Sequence, residues 1–192
     1  MALKLRTLKQ NKDNKGIAHS ARECAYLAIF VAIVIGLQLA LSAVPGVELV
    51  TVLFVAYSFT LGARRGMLAA TVFTLIRQVV FGLYPTVLVL YLVYYNLLAM
   101  CFGLIGSAMK KPMKWIVFLV IIACLCTVSF NMLDNILTPL WLGYGKKSTM
   151  LYFKASLIVR LSQVLCTAVT VAVLFFPLHK VFYVMKRNLA TT

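Results

Sequence analysis

Six apolar runs, separated by short breaks rich in glycine, proline or basic residues, take up most of this chain. The first covers residues 21–43 and ends at Val44-Pro45-Gly46, a strong turn signal. The second, 47–61, is short for a full membrane crossing and stops at Gly62-Ala63-Arg64-Arg65-Gly66. The third, 67–81, stops at Gly82-Leu83-Tyr84-Pro85, and the fourth, 86–108, runs into Lys110-Lys111-Pro112-Met113-Lys114. The fifth covers 115–137 and is closed by Pro139; after a polar loop, 143–149, the sixth covers 150–176 and meets Pro177. Runs of this length predict an all-α integral membrane bundle of six transmembrane helices. They form one domain over 1–192, flanked by a basic arm at 1–20, with Gly16 as a breaker, and a basic tail at 178–192. The first run is too long for the apolar segment of a signal peptide and reads as a retained helix.

Within the first run the small residues Ala21, Ala25, Ala28, Ala32 and Gly36 recur in steps of four, three, four and four. Those steps keep them on one helix face. A face without bulk lets a second helix approach closely, as helices do in lipid.

Composition supports the membrane reading: the chain is 63% hydrophobic and has a mean hydropathy of +0.98. Its 19 Lys and Arg against 4 Asp and Glu do not point to nucleic acid, because the basic residues lie between the apolar runs. There they act as topology signals. With both termini cytoplasmic, the inner side collects 14 of the 19, from Lys4 through Arg22, Arg64, Arg65, Lys110, Lys111 and Lys114 to Arg187. The expected location is the plasma membrane of a bacterium, with the lipid bilayer as a partner. The five cysteines, at 24, 101, 124, 126 and 166, read as small buried hydrophobes. His19 and His179 read as solvated or headgroup-facing groups at the cytoplasmic helix edges.

Four ionisable residues fall in or beside the spans: Glu48, Arg77, Asp134 and Arg160. Such charges face an interior or an aqueous cavity, since lipid penalises them by a few kcal/mol or more. The topology puts Glu48, Arg77 and Asp134 toward the outer side and Arg160, about ten residues into the sixth run, near the middle. Gln78, Asn96, Asn131, Asn135 and Gln163 join them, with Asn131, Asp134 and Asn135 on one helix face. Tyr84, Tyr91, Tyr94, Tyr95, Tyr144 and Tyr152 add rings at similar depth. Single members of this set read equally well as structural ion pairs or interfacial aromatics. Together they predict a small-molecule pocket in the outer half, with no matching polar track inward for a pore.

No Walker loop, His-Glu-x-x-His or Gly-x-Ser-x-Gly motif is present, so neither catalysis nor ATP hydrolysis is expected of this chain. A small basic six-helix chain with Ala28-x-x-x-Ala32 flanked by Ala25 and Gly36, and with Val44-Pro45-Gly46-Val47-Glu48 opening its second helix, resembles the substrate-binding S component of energy-coupling factor (ECF) vitamin transporters. The resemblance implies capture of a vitamin from outside and docking on a transmembrane T component driven by two ATPase subunits, the S component toppling to carry its ligand inward. By the same resemblance Ala25, Ala28, Ala32 and Gly36 serve coupling, and Pro45 and Gly46 form a lid. It maps Tyr91, Tyr95, Asn131, Asp134 and Arg160 to the pocket, and with Glu48, Arg77, Tyr84, Asn96 and Asn135 from the polar constellation these are the expected substrate-binding residues. No covalently bound cofactor is expected, the vitamin being the transported substrate. Pro45-Gly46-Val47-Glu48-Leu49-Val50-Thr51 leans toward cobalamin, with pantothenate, a pyridoxine-like compound and folate open. Outside this family, the alternatives are a stand-alone secondary transporter and a cell-shape scaffold similar to the MreD-like proteins.

Overall fold

The computed structural model describes residues 2–44, 47–109 and 115–190, with side chains described within 21–189. The lid residues Pro45 and Gly46, and the basic cluster at 110–114, lie outside the described residues. Among the described residues the chain is all helix: α1 (Ala2–Leu41), α2 (Val50–Leu61), α3 (Ala63–Phe81), α4 (Pro85–Ala108), α5 (Ile116–Trp141) and α6 (Lys146–Ala190).

Helix α2 is the centre of the bundle. All twelve of its residues are buried, as a helix that is apolar all round requires. Its closest neighbours are α6 and α4, with α3 beside it. At 1.5 Å per residue α2 is about 18 Å long, far short of a hydrocarbon core of about 30 Å. Glu48 and Leu49, which lead into α2, therefore lie partly buried within the bundle. Hydroxyls inside the core are satisfied locally: Thr60, Thr74 and Thr127 donate to the carbonyls of Ala56, Ala70 and Ala123 at 2.7, 2.8 and 3.1 Å.

The bundle has two ends. One holds the connections α1–α2, α3–α4 and α5–α6 and is called the loop end here. The other is the terminal end, where Arg65 pairs with Glu23 and both border a small cavity reached by Met185 and Leu189. Near that end Thr60 Oγ1 and His179 Nδ1 are 2.8 Å apart, and the His179 ring stacks on Phe175. His179 thus packs against α2 rather than facing solvent or headgroups.

Helices run further than the breaks in the sequence suggest. α1 continues through Gly16 into the arm, because one helical glycine costs only about 1 kcal/mol relative to alanine. The turn expected at 62–66 contracts to Gly62 alone, whose φ of 94° reverses the chain in a single residue. Pro139 and Pro177 lie inside α5 and α6. In lipid no water competes for freed backbone groups, so packed neighbours keep such helices continuous.

α3 and α4 make the most extensive contact in the bundle, and glycine on α4 permits close approach where α2 passes into α3. A Cβ at Gly106 would collide with the Phe59 carbonyl, and one at Gly103 with the Ala63 backbone. Gly106→Ala is therefore expected to destabilise the protein by about 1–3 kcal/mol through overpacking. Thermal unfolding in detergent checks this, and an unchanged midpoint would show that α4 has room to shift.

Candidate functional site: a charged cavity at the loop end

Because α2 starts late, Glu48 and Leu49 sit partly buried among the helices. The Glu48 N–H lies 3.3 Å from the Cys166 sulfur, and the Cys166 thiol is 3.6 Å from the Glu48 carbonyl. Cys166 is six residues beyond Arg160 on α6, about 9 Å further from the loop end. The depth order expected from the sequence is thus reversed: Glu48 lies deeper than Arg160. The short α2 is the reason, since its first turn begins well below the rim.

Above this connection lies a cavity of about 360 Å³, lined by residues including Gln38, Ser42, Glu48, Arg77, Phe81, Tyr91, Phe130 and Gln163. Behind this lining Phe54, Phe73 and Tyr95 are buried and ring-packed on one another, and Tyr95 and Phe73 touch the ring of Tyr91. Glu48 Oε1 accepts hydrogen bonds from Thr51 Oγ1 at 2.9 Å and from the Tyr95 hydroxyl at 3.1 Å. Oε2 has no partner among the described residues.

Arg77 stands on the cavity wall between two rings, its guanidinium carbon 4.2 Å from the Tyr91 centroid and 4.9 Å from that of Phe81. Its Nε donates to Gln38 Oε1 at 3.2 Å, and Gln38 Nε2 donates to the Tyr91 hydroxyl at 3.2 Å. Nη1 is buried without a partner, and among the described residues nothing binds Nη2. Arg77 and Glu48 line one cavity yet form no ion pair with each other.

The remaining charged pair forms a second cluster, between α5 and α6. Arg160 Nη2 meets Asp134 Oδ2 at 2.9 Å, Nε donates to Ser156 Oγ at 2.7 Å, and Nη1 donates to the Asn131 carbonyl. Asp134 also accepts from the Tyr152 hydroxyl at 2.9 Å and from Thr138 at 2.7 Å. Every nitrogen of Arg160 is bonded. A cavity of about 130 Å³ beside Asn131, Asn135 and Arg160 has little room for more than a few water-sized groups. Here Asn135 Oδ1 is buried without a partner.

The ten residues expected to share one pocket are therefore distributed. Glu48, Arg77 and Tyr91 line the larger cavity and Tyr95 supports it from below. Asn131, Asp134, Asn135 and Arg160 belong to the α5–α6 cluster. Tyr84 is exposed at the start of α4, its N–H held by Gln78 Oε1 at 3.0 Å. Asn96 joins α4 to α3, donating to the Leu92 carbonyl and accepting from Thr71. Gln38 and Thr51 were missed, although Gln38 is the single amide in the first apolar run and could have been singled out on that ground. Glu23, the acid that pairs with Arg65, was also passed over.

The small-residue stripe lies on the outside of the bundle. Ala21, Ala25, Ala28, Ala32 and Gly36 are all exposed, while Phe30, Val31, Val34 and Ile35 bury the opposite face. A Cβ added at Gly36 would meet nothing.

Four helices are long and apolar enough to cross a membrane: Ala21–Ala40, Pro85–Ala108, Ile116–Trp141 and Lys146–Leu189. Large apolar side chains such as Val79, Ile158 and Leu165 face outward, which lipid and not water would solvate. The chain is a multi-pass membrane protein. Comparisons with family models, with curated proteins and with solved structures give no match.

Proposed function

We propose that this protein is the substrate-binding S component of an ECF-type vitamin transporter, a six-helix bundle in the bacterial plasma membrane with its termini in the cytoplasm. The observation that carries the reading is the loop-end cavity of about 360 Å³, which Glu48 and Arg77 both line without pairing with each other. Charge placement supports the orientation: Arg64 and Arg65 lie at the terminal end with the basic arm and tail, so the cavity opens outward. The exposed alanine stripe of α1 supplies a face on which a T component can dock. Two ATPase subunits would then supply the energy.

The cavity volume bears on which vitamin is carried. It lies at the low end for small-molecule sites, and a corrinoid with its nucleotide loop is far larger. Of the vitamins considered, pantothenate or a pyridoxine-like compound fits this space better than cobalamin or folate.

Calorimetry on the purified protein in lipid nanodiscs, titrated with the water-soluble vitamins, is expected to show one tight ligand. Silence across the panel would overturn the proposal. Uptake into vesicles holding this chain alone, driven by an ion gradient, would favour a stand-alone transporter instead.

A further inference from the structure

The two arginines within the helical bundle, Arg160 buried and Arg77 half-buried, differ in one respect that bears on the ligand. Arg160 spends all three nitrogens on protein acceptors: a carboxylate, a hydroxyl and a carbonyl. Arg77 spends one, on the neutral amide of Gln38, and its Nη1 is buried with no acceptor at all. A guanidinium presents five donors in a planar fork that matches a carboxylate with two parallel bonds. Leaving that fork unfilled in a low-dielectric wall is costly, so an arrangement of this kind is complementary to an acceptor that is absent from the free protein. The rings of Tyr91 and Phe81 on the guanidinium and the Gln38 bridge fix the orientation of the fork.

In the same cavity Glu48 shows the mirror deficiency. Its Oε1 takes both available donors and Oε2 takes none. Thus one cavity is lined both by a donor fork that is only partly filled and by an unfilled acceptor.

We propose that the loop-end cavity takes a small organic carboxylate, its acid group paired with Arg77 and a hydroxyl or amide N–H of the same molecule donating to Glu48 Oε2. This inference rests on the ligand-binding reading above and narrows it to monocarboxylic acids that also carry a donor. A neutral alcohol or amide of the same skeleton leaves the Arg77 fork unfilled and binds more weakly. A pyridoxine-like compound, which lacks a carboxylate, is disfavoured.

The test uses the intact protein in nanodiscs and three acids that carry a donor, each against its neutral counterpart: pantothenate with panthenol, biotin with biotinamide, and 4-hydroxybenzoate with 4-hydroxybenzamide. At least one acid is expected to bind roughly 10- to 100-fold more tightly than its neutral partner, the scale of a charge-assisted hydrogen bond. Arg77→Gln should bring that acid down to its partner's affinity, and Arg77→Lys should recover part of the loss. Glu48→Gln keeps an acceptor for Thr51 and Tyr95 but turns Oε2 into a donor, and should weaken the acid about tenfold. Binding of a vitamin with no preference for the acid would overturn the carboxylate assignment and leave the transporter reading standing, a result that does not depend on any variant folding. Acid binding indifferent to Arg77→Gln would overturn the role of Arg77, and indifference to Glu48→Gln the role of Glu48. Silence from all six compounds and from the full vitamin panel would overturn the inference and the transporter reading together.

Discussion

Asp134→Ala is expected to cost about 3–5 kcal/mol of stability, the price of leaving a buried charge without its partner. Arg160 is 11% exposed and Asp134 26%, at 2.9 Å, and lipid or apolar helix surrounds them. With the carboxylate gone, Arg160 keeps its bonds to Asn131 and Ser156 but no counter-charge, and Tyr152 and Thr138 lose their acceptor. Replacing both ends, as in Asp134→Leu with Arg160→Met, should recover most of the loss, since apolar substitutes of similar volume need no desolvation. Unfolding of each variant in mixed micelles by rising denaturing detergent gives the comparison. A double variant as unstable as the single would show that the pair supplies more than charge neutrality. Ligand affinity provides a separate check: well below the unfolding midpoint, Asp134→Ala should bind vitamin much as the unmodified protein does, because the cluster lies outside the larger cavity. Lost binding in a folded protein would return Asp134 to the ligand site.

The second large effect is on coupling. Ala28→Trp and Ala32→Trp place bulk on an exposed face that no other helix of this chain covers. Stability should change by no more than about 0.5 kcal/mol, as for surface positions elsewhere. If that face docks on a T component, each tryptophan overpacks the contact by about 1–3 kcal/mol, a roughly 5- to 150-fold loss of complex at a given concentration. Co-purification with the T component and vitamin uptake by the assembled complex should both fall, with vitamin binding by the isolated chain unchanged. Loss of binding alongside coupling would indicate misfolding. Full uptake by both variants would remove the stripe from the transport cycle. Gly36→Ala, where the added methyl meets nothing, is the control for a well-tolerated change on this face and should stabilise the helix by about 0.4–1 kcal/mol.

Much of the helix content was legible because the signal is linear. Long apolar runs between turn residues and basic clusters declare helices and their order whatever the packing. The structure moved several ends: α3 starts at Ala63, α5 and α6 run through Pro139 and Pro177, and α1 runs through Gly16. Those ends depend on competition for backbone hydrogen bonds, which the identity of a single residue does not decide. The periodicity of the small residues gave the stripe a single face, but whether that face turned inward or outward could not be read from it.

The candidate site was legible by residue type and not by grouping. Glu48, Arg77, Asp134 and Arg160 stand out in any apolar sequence, because each needs a reason to be there. Which charge meets which depends on helix depth and rotation, and these are fixed by packing around α2. Its twelve buried residues lower Glu48 to the level of Cys166, past Arg160, so that Glu48 shares a cavity with Arg77 while Asp134 closes on Arg160. The sequence by itself determined that the chain is a helical membrane protein carrying buried charge of both signs. The tertiary structure alone decided that one arginine is satisfied by the protein and the other is left open. Hydrophobic patterning is local and additive along the chain, whereas an ion pair needs two side chains within about 4 Å, which only the assembled bundle specifies.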